Sequence, residues 1–130
     1  MQDFIDNTAP WRNEIVNSLV IQNGITSIGA FAFSDCWRLS SVVIANSVTA
    51  IGIFAFYCCT DLSELTIPNN ITTIGNGAFS ICRFTKVTIP NSVVTIGDRA
   101  FYFCDRLTEV TFGNSVETIG NHTFNKCNKS

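Results

Sequence analysis

The sequence predicts an α/β repeat solenoid: a short right-handed coil with a parallel β-sheet of about five strands and short helical or 3₁₀ turns on the opposite side. One observation is a motif that occurs five times, in which Ile-Gly is followed four residues later by Phe and three residues after that by Cys. The copies are Ile28-Gly29-Phe33-Cys36, Ile51-Gly52-Phe56-Cys59, Ile74-Gly75-Phe79-Cys82, Ile96-Gly97-Phe101-Cys104 and Ile119-Gly120-Phe124-Cys127. Their phenylalanines are 23, 23, 22 and 23 residues apart. Such a period is typical of solenoids, in which each unit buries its apolar face by stacking on its neighbours.

A second observation is the alternation of apolar residues within each unit. In the segment 62–67, Leu65 and Ile67 alternate with polar residues as in a half-buried strand. The corresponding segments are 16–21, 39–44, 84–89 and 107–112. Turns such as Pro68-Asn69-Asn70 follow, because Pro fixes φ and Asn tolerates turn conformations. The Ala-Phe-x-x-Cys segment then predicts a helical or 3₁₀ turn with Phe and Cys on its inward side.

These units predict a single domain over residues 1–130. Residues 1–15 form an N-terminal lead-in or cap, and the repeats span about 16–38, 39–61, 62–83, 84–106 and 107–130, the last being incomplete. The third unit lacks one residue before Phe84.

Composition and charge exclude several classes of function. Apolar residues make up 46% of the chain and charged residues 14%, which suffices for a continuous core. The net charge of −2 leaves no basic stripe for a phosphate backbone, so we expect no nucleic-acid partner. No apolar run approaches the roughly 18 to 20 residues of a membrane span, so we expect no membrane insertion. The N-terminus is not a secretory signal as it stands.

Most of the cysteines occupy one repeat position and predict a ladder of buried free thiols: Cys36, Cys59, Cys82, Cys104 and Cys127. Parallel Cβ vectors on strands about 4.8 Å apart leave the Cβ atoms too distant for ordinary disulfides, so we expect the thiols to behave as small apolar groups. Cys58 stands outside the ladder and is the candidate for an exposed, reactive thiol.

No catalytic or metal-binding arrangement can be assembled from these residues, so we predict no enzyme, cofactor or metal site. The short Cys-x₂₋₄-Cys pairs that are typical of zinc ligands are absent, and His122 is the only histidine. Glu64, Lys86 and Glu109 lie at equivalent strand positions, where alternating charges indicate cross-strand pairing on a surface rather than an acid-base dyad.

The outward strand positions form the first candidate binding surface, which we call the sheet face. Its residues are Ser18, Val20, Ser41, Val43, Glu64, Thr66, Lys86, Thr88, Glu109 and Thr111. Solenoids commonly bind partners on such an extended face, and this one is polar and nearly uncharged, which suits protein or glycan contact. The alternative is that the face contacts only water.

A second candidate surface lies on the turn side, and we call it the aromatic patch. Its residues are Phe31, Trp37, Phe54, Tyr57, Tyr102 and Phe103. If they are exposed together, they mark an interaction surface. The alternative is that they pack under the edges of the coil.

The repeat resembles the BspA-like, or Treponema-type, class of leucine-rich repeat, with a pattern close to L-x-x-V-x-I-P-x-S-V-x-x-I-G-x-x-A-F-x-x-C. The match covers residues 15–127; the departures are the shortened third unit, Thr123 in place of Ala, and a last unit that stops before its strand. The resemblance implies a protein- or glycan-binding module with a cell-surface or secreted role, such as adhesion to host proteins or other cells. A cytoplasmic location stays open, as does self-assembly into oligomers or fibres through the coil ends or the aromatic patch.

Overall fold

The computed structural model describes residues 4–5 and 17–127, which form a parallel-strand solenoid with the predicted period. Its strands are β1 (Phe4–Ile5), β2 (Ser18–Ile21), β3 (Ser27–Ile28), β4 (Ser41–Ile44), β5 (Ala50–Ile51), β6 (Thr73–Ile74), β7 (Lys86–Ile89), β8 (Thr95–Ile96), β9 (Glu109–Phe112) and β10 (Thr118–Ile119). The repeat solenoid is therefore confirmed as the fold class.

The short strands that end at the Ile of each Ile-Gly pair build, together with β1, the continuous sheet of the molecule. Six strands pair in parallel in the order β1-β3-β5-β6-β8-β10. Ile28 lies opposite Ile51 and Ile74 lies opposite Ile96, so the register follows the repeat. Ile5 pairs with Ile28 in that same register. The rest of the predicted lead-in, apart from β1, lies outside the described residues.

The longer strands correct the expectation of one sheet of about five strands. They form two separate pairs, β2 with β4 and β7 with β9, and the segment 62–68 between these pairs belongs to no strand. In an earlier coil, Ala45 directly follows β4, and its N–H donates to the carbonyl of Ile21 at 2.9 Å. Pro68 and Pro90 occupy that position in the next two coils and have no N–H to donate.

The one-residue deletion before Phe84 acts at the same place. Ser40 and Thr108 directly precede β4 and β9, and their N–H groups donate to the carbonyls of Asn17 and Thr85, the residues that directly precede β2 and β7. In the shortened unit the donor is instead Arg83, whose N–H donates to the carbonyl of Leu62 at 3.1 Å. The hydrogen bonding between these two coils is thus shifted at the start of β7. Together, the deletion and the two prolines account for the break in the sheet.

The side opposite the longer strands consists of turns, so the predicted helical or 3₁₀ turns are wrong. Nowhere in residues 17–127 is a helix formed. Two residues of every coil have φ between 55° and 66°, a left-handed conformation that helical and 3₁₀ turns do not contain. They are Phe31, Phe54, Gly77, Arg99 and His122 at one position and Asp35, Cys58, Ile81, Phe103 and Lys126 at the other.

Hydrogen bonds between coils hold these left-handed residues in place. The N–H of Phe31 donates to the carbonyl of Ile53 at 2.9 Å, and the N–H of Asp35 donates to the carbonyl of Tyr57 at 2.7 Å. The same two bonds recur between the following coils. A left-handed residue other than glycine costs about 1 to 2 kcal/mol. The repeated bonds offset this cost and explain why bulky residues tolerate the position.

The core is a set of columns, one for each inward repeat position. The phenylalanine column, Phe33, Phe56, Phe79, Phe101 and Phe124, has successive ring centroids 5.4, 5.3, 5.5 and 5.4 Å apart. Adjacent glycines allow this close stacking of coils. A Cβ on Gly75 would lie 2.7 Å from the carbonyl carbon of Gly52, so a side chain there would force the backbones apart.

Candidate binding surfaces

The sheet face is exposed at every position that the alternation predicted. Its residues on β2, β4, β7 and β9 and on the unpaired segment, from Ser18 to Thr111, are all exposed. The residues that lie between the two exposed positions of each coil are buried or half-buried: Leu19, Val42, Leu65, Val87 and Val110. Val20 and Val43 are 62% and 59% exposed and lie opposite each other on β2 and β4. The predicted orientation is correct; a binding role for these residues stays a prediction.

Charge on the sheet face is confined to its last three coils. Lys86 on β7 lies directly opposite Glu109 on β9. Glu64, at the equivalent position of the unpaired segment, lies with Lys86 on the wall of a shallow hollow of about 410 Å³. Opposite charges on adjacent strands attract weakly in water. These side chains are placed as a surface ladder, as the sequence indicated.

A groove that the sequence reasoning missed crosses the sheet face at the break, and we call it the sheet groove. It has a volume of about 450 Å³ and runs along the ends of the unpaired segment, β7 and β9. Thr66, Thr88 and Thr111 contribute to one wall, and Asn69 and Asn91 contribute from the turns. The 22-residue step before Phe84 and the two prolines were visible in the sequence, but their combined effect on pairing required the geometry of the coils.

The aromatic patch is two clusters and one separate residue. Phe31 stacks on Phe54 at 5.3 Å, and Tyr57 meets Phe54 edge-on at 5.2 Å. Tyr102 and Phe103 form the second cluster, with centroids 6.2 Å apart.

Exposure differs within the patch. Phe31 and Phe103 are 40% and 45% exposed, whereas Phe54, Tyr57 and Tyr102 are half-buried. Trp37 is 56% exposed, and the guanidinium of Arg38 lies over its ring at 5.0 Å. The patch is therefore partly open to solvent, between the two alternatives that the sequence allowed.

The cysteine column is a ladder of free thiols, as predicted, but only Cys59, Cys82 and Cys104 are buried, whereas Cys36 and Cys127 in the outer coils are half-buried. The thiol of Cys59 donates to the carbonyl of Phe33 at 3.3 Å, and that of Cys104 donates to the carbonyl of Phe79 at 3.1 Å. Cys82 and Cys127 repeat this bond in their own coils. Burial raises the pKa of Cys104 to about 12 and raises the pKa of Cys59 and Cys82 further. These thiols are neutral donors in the core.

Cys58 differs from the reactive thiol that its position suggested. It is half-buried, and burial raises its pKa. The neighbouring carboxylate of Asp35 raises the pKa further, by its charge and by accepting a hydrogen bond from the thiol. Since the thiolate is the nucleophile, these contacts make Cys58 less reactive than a free cysteine.

Comparison with known proteins identifies the repeat. A family model described as BspA type leucine rich repeat region (6 copies) matches residues 5–130. The chain belongs to this BspA-type family. No curated protein matches it.

Solved structures of bacterial leucine-rich repeat proteins have the same fold. A leucine-rich repeat protein from Bacteroides ovatus is 38% identical over 86% of this chain and 29% of its own, with a TM-score of 0.82. The T. pallidum leucine rich repeat protein is 29% identical over 88% of this chain and 56% of its own, with a TM-score of 0.83. A leucine rich cell surface protein from Faecalibacterium prausnitzii is 28% identical over 98% and 41%, with a TM-score of 0.68. The present chain thus spans from under a third to just over half of these relatives.

The remaining features of this BspA-type domain concern metal ligands, the histidine and membrane-spanning helices. Among residues 4–5 and 17–127, no three His, Cys, Asp or Glu side chains lie close enough together to hold a metal ion. His122 is exposed, with its Nδ1 3.2 Å from the amide nitrogen of Asn125. The described part of the chain also contains no helix long and apolar enough to cross a membrane.

Proposed function

We propose that this BspA-type domain is a non-catalytic binding module that contacts a protein or glycan through its sheet face, in a cell-surface role such as adhesion or host interaction. The observation that carries the proposal is the continuous exposure of the outward positions from Ser18 to Thr111 on a scaffold whose inward columns are buried. Solenoids use extended faces of this kind for binding.

The composition of the face supports recognition of an external partner. Val20 and Val43 place exposed apolar side chains at one end, while the sheet groove, Lys86 and Glu109 lie at the other. The Faecalibacterium relative is a cell surface protein by name, which supports the same location for this chain. A fold alone does not dictate a partner. The proposal is therefore tested by measuring binding and the effect of substitutions on the sheet face.

The test is surface plasmon resonance of the purified chain against a panel of immobilised extracellular-matrix proteins and cell-surface glycans. We expect saturable binding at micromolar or better affinity to at least one member. The double variant Val43→Glu and Thr88→Arg changes two exposed face positions and should weaken that binding at least tenfold.

Thr73→Glu with Thr118→Arg is the matched control, since both threonines are exposed on strands of the other sheet. It should bind like the wild type. Absence of saturable binding to the whole panel, or equal weakening by both double variants, contradicts the proposal.

A second candidate function is self-assembly through the coil ends or the aromatic patch. In the last described coil, Phe112 and Ile119 are 45% and 47% exposed, although their equivalents in inner coils are buried. Sedimentation of the chain tests this candidate: the sedimentation coefficient should rise with concentration, and a concentration-independent monomer near 14.3 kDa eliminates it.

A further inference from the structure

The break in the sheet leaves peptide groups that neighbouring coils do not use. Within residues 17–127, no backbone hydrogen bond joins residues 63–67 to the coil on either side. The equivalent residues of β4 and β9 are paired with β2 and β7. Polar groups in a partly enclosed site bind either water or a ligand.

The break is too narrow to receive a strand from a peptide. Ile51 pairs with Ile74, and Ile74 pairs with Ile96, on the same coils. The rings of Phe56, Phe79 and Phe101 also stack at 5.3 and 5.5 Å through these coils. Insertion of a strand requires about twice the spacing of 4.7 to 4.9 Å between neighbouring strands. A ligand must therefore lie across the strands rather than extend the sheet.

The walls of the sheet groove carry no charge and combine hydroxyl and amide groups with apolar side chains such as Leu65 and Ile89. The three threonine hydroxyls, on Thr66, Thr88 and Thr111, can each donate and accept a hydrogen bond, and the side chains of Asn69 and Asn91 add amide groups. Phe112 adds an aromatic ring that is 45% exposed. The volume of about 450 Å³ lies within the range of about 300 to 1,000 Å³ that is typical of small-ligand sites.

The same groups recur from coil to coil in the groove. Thr88 and Thr111 are direct register partners, and Thr66 holds the equivalent position one coil earlier. A polymer of repeated sugar units that crosses the strands would meet a threonine hydroxyl at each of three coils and an asparagine amide at two of them. Its hydroxyls could also bond to the unused peptide groups of residues 63–67.

We propose that the sheet groove is a subsite for a neutral glycan that lies across the strands, with Thr66, Thr88 and Thr111 hydrogen-bonded to successive sugar units. The inference rests on the proposed function of the sheet face and names the class of its ligand. It assigns the ligand to the sheet groove, whose walls do not include Glu64 or Lys86.

Isothermal titration calorimetry of the full chain with cellohexaose, maltohexaose and chitohexaose tests the subsite. We expect at least one hexasaccharide to bind with a dissociation constant below 1 mM, as an order-of-magnitude expectation for a shallow neutral site. Thr88→Val with Thr111→Val removes two hydroxyls at nearly constant shape and should weaken binding at least tenfold. Thr73→Val, the same change outside the groove, should leave binding unchanged, and equal circular dichroism spectra and melting temperatures would show that the variants fold.

Absence of binding by all three hexasaccharides overturns the subsite, and so does binding that the groove variants do not weaken. If the panel of immobilised matrix proteins still binds in that case, the sheet-face function stands with a protein ligand. If neither the hexasaccharides nor the panel bind, the sheet-face function fails as well.

Discussion

The ring of Phe54 occupies the space that a side chain on Gly77, in the following coil, would need. A Cβ at residue 77 would collide with ring atoms Cδ1 and Cε1 of Phe54. Gly77 has a φ of 65° and is the glycine in a column of left-handed residues that also contains Phe31, Phe54, Arg99 and His122. The missing side chain at residue 77 thus makes room for the ring of its neighbour.

Gly77→Ala should lower the free energy of unfolding by about 2 to 4 kcal/mol. The left-handed backbone accounts for about 1 to 2 kcal/mol and the collision with Phe54 for the remainder. In a Phe54→Ala background, only the backbone part should persist. Urea denaturation of the four chains of this double-mutant cycle measures the difference. An equal cost in both backgrounds would show that the ring does not restrict residue 77.

Phe79→Ala should be among the most destabilising single substitutions in the chain. The ring is fully buried and touches Phe56, Phe84 and Phe101, so we expect a loss of about 3 to 5 kcal/mol. Phe124→Ala, at the same repeat position, should cost less because that ring is only half-buried. Urea denaturation compares the two variants, and equal losses would contradict the nearest-neighbour stacking of the coils.

Alkaline pH should destabilise the chain through its buried thiols. The pKa of Cys104 is raised from 9.0 to about 12, so above pH 9 the unfolded state releases a proton that the folded state keeps. The free energy of unfolding should be unaffected by this thiol below pH 9 and fall by about 1.4 kcal/mol per pH unit between pH 9 and 12.

Cys104→Ser removes the titration but retains a donor near the carbonyl of Phe79. Urea denaturation between pH 8 and 10.5, under reducing conditions, should give a shallower alkaline decline for this variant. The same decline in both chains would assign the pH dependence to other groups.

Asp35→Asn should make Cys58 more reactive. Removal of the carboxylate lowers the pKa of this thiol, because both its charge and its hydrogen bond favour the protonated form. Alkylation by iodoacetamide at pH 8, followed by mass spectrometry of the Cys58 peptide, should proceed several-fold faster than in the wild type. Asp61→Asn removes an exposed carboxylate that has no such contact and serves as the control; an equal rate in all three chains would refute the role of Asp35.

The columns of the core were predictable from the sequence because each inward position recurs in several repeats. Phe79 and Cys82, for example, follow from their spacing alone. The turns were not predictable, because local energetics disfavour a left-handed Phe31 or Ile81 and only hydrogen bonds to the next coil stabilise them. The sheet groove was missed for a similar reason: the N–H donors that Pro68 and Pro90 lack matter only once the coils are stacked.

The shortened third unit shows how the solenoid tolerates local errors. Successive coils are joined by separate seams: the six-stranded sheet, the phenylalanine column and the bonds between the turns. All of these continue past the break at residues 62–68. The longer strands can therefore lose their pairing without loss of the period elsewhere. Substitutions on the sheet face are therefore uncoupled from the integrity of the fold. This face is free to acquire new specificities while the other contacts between coils preserve the period.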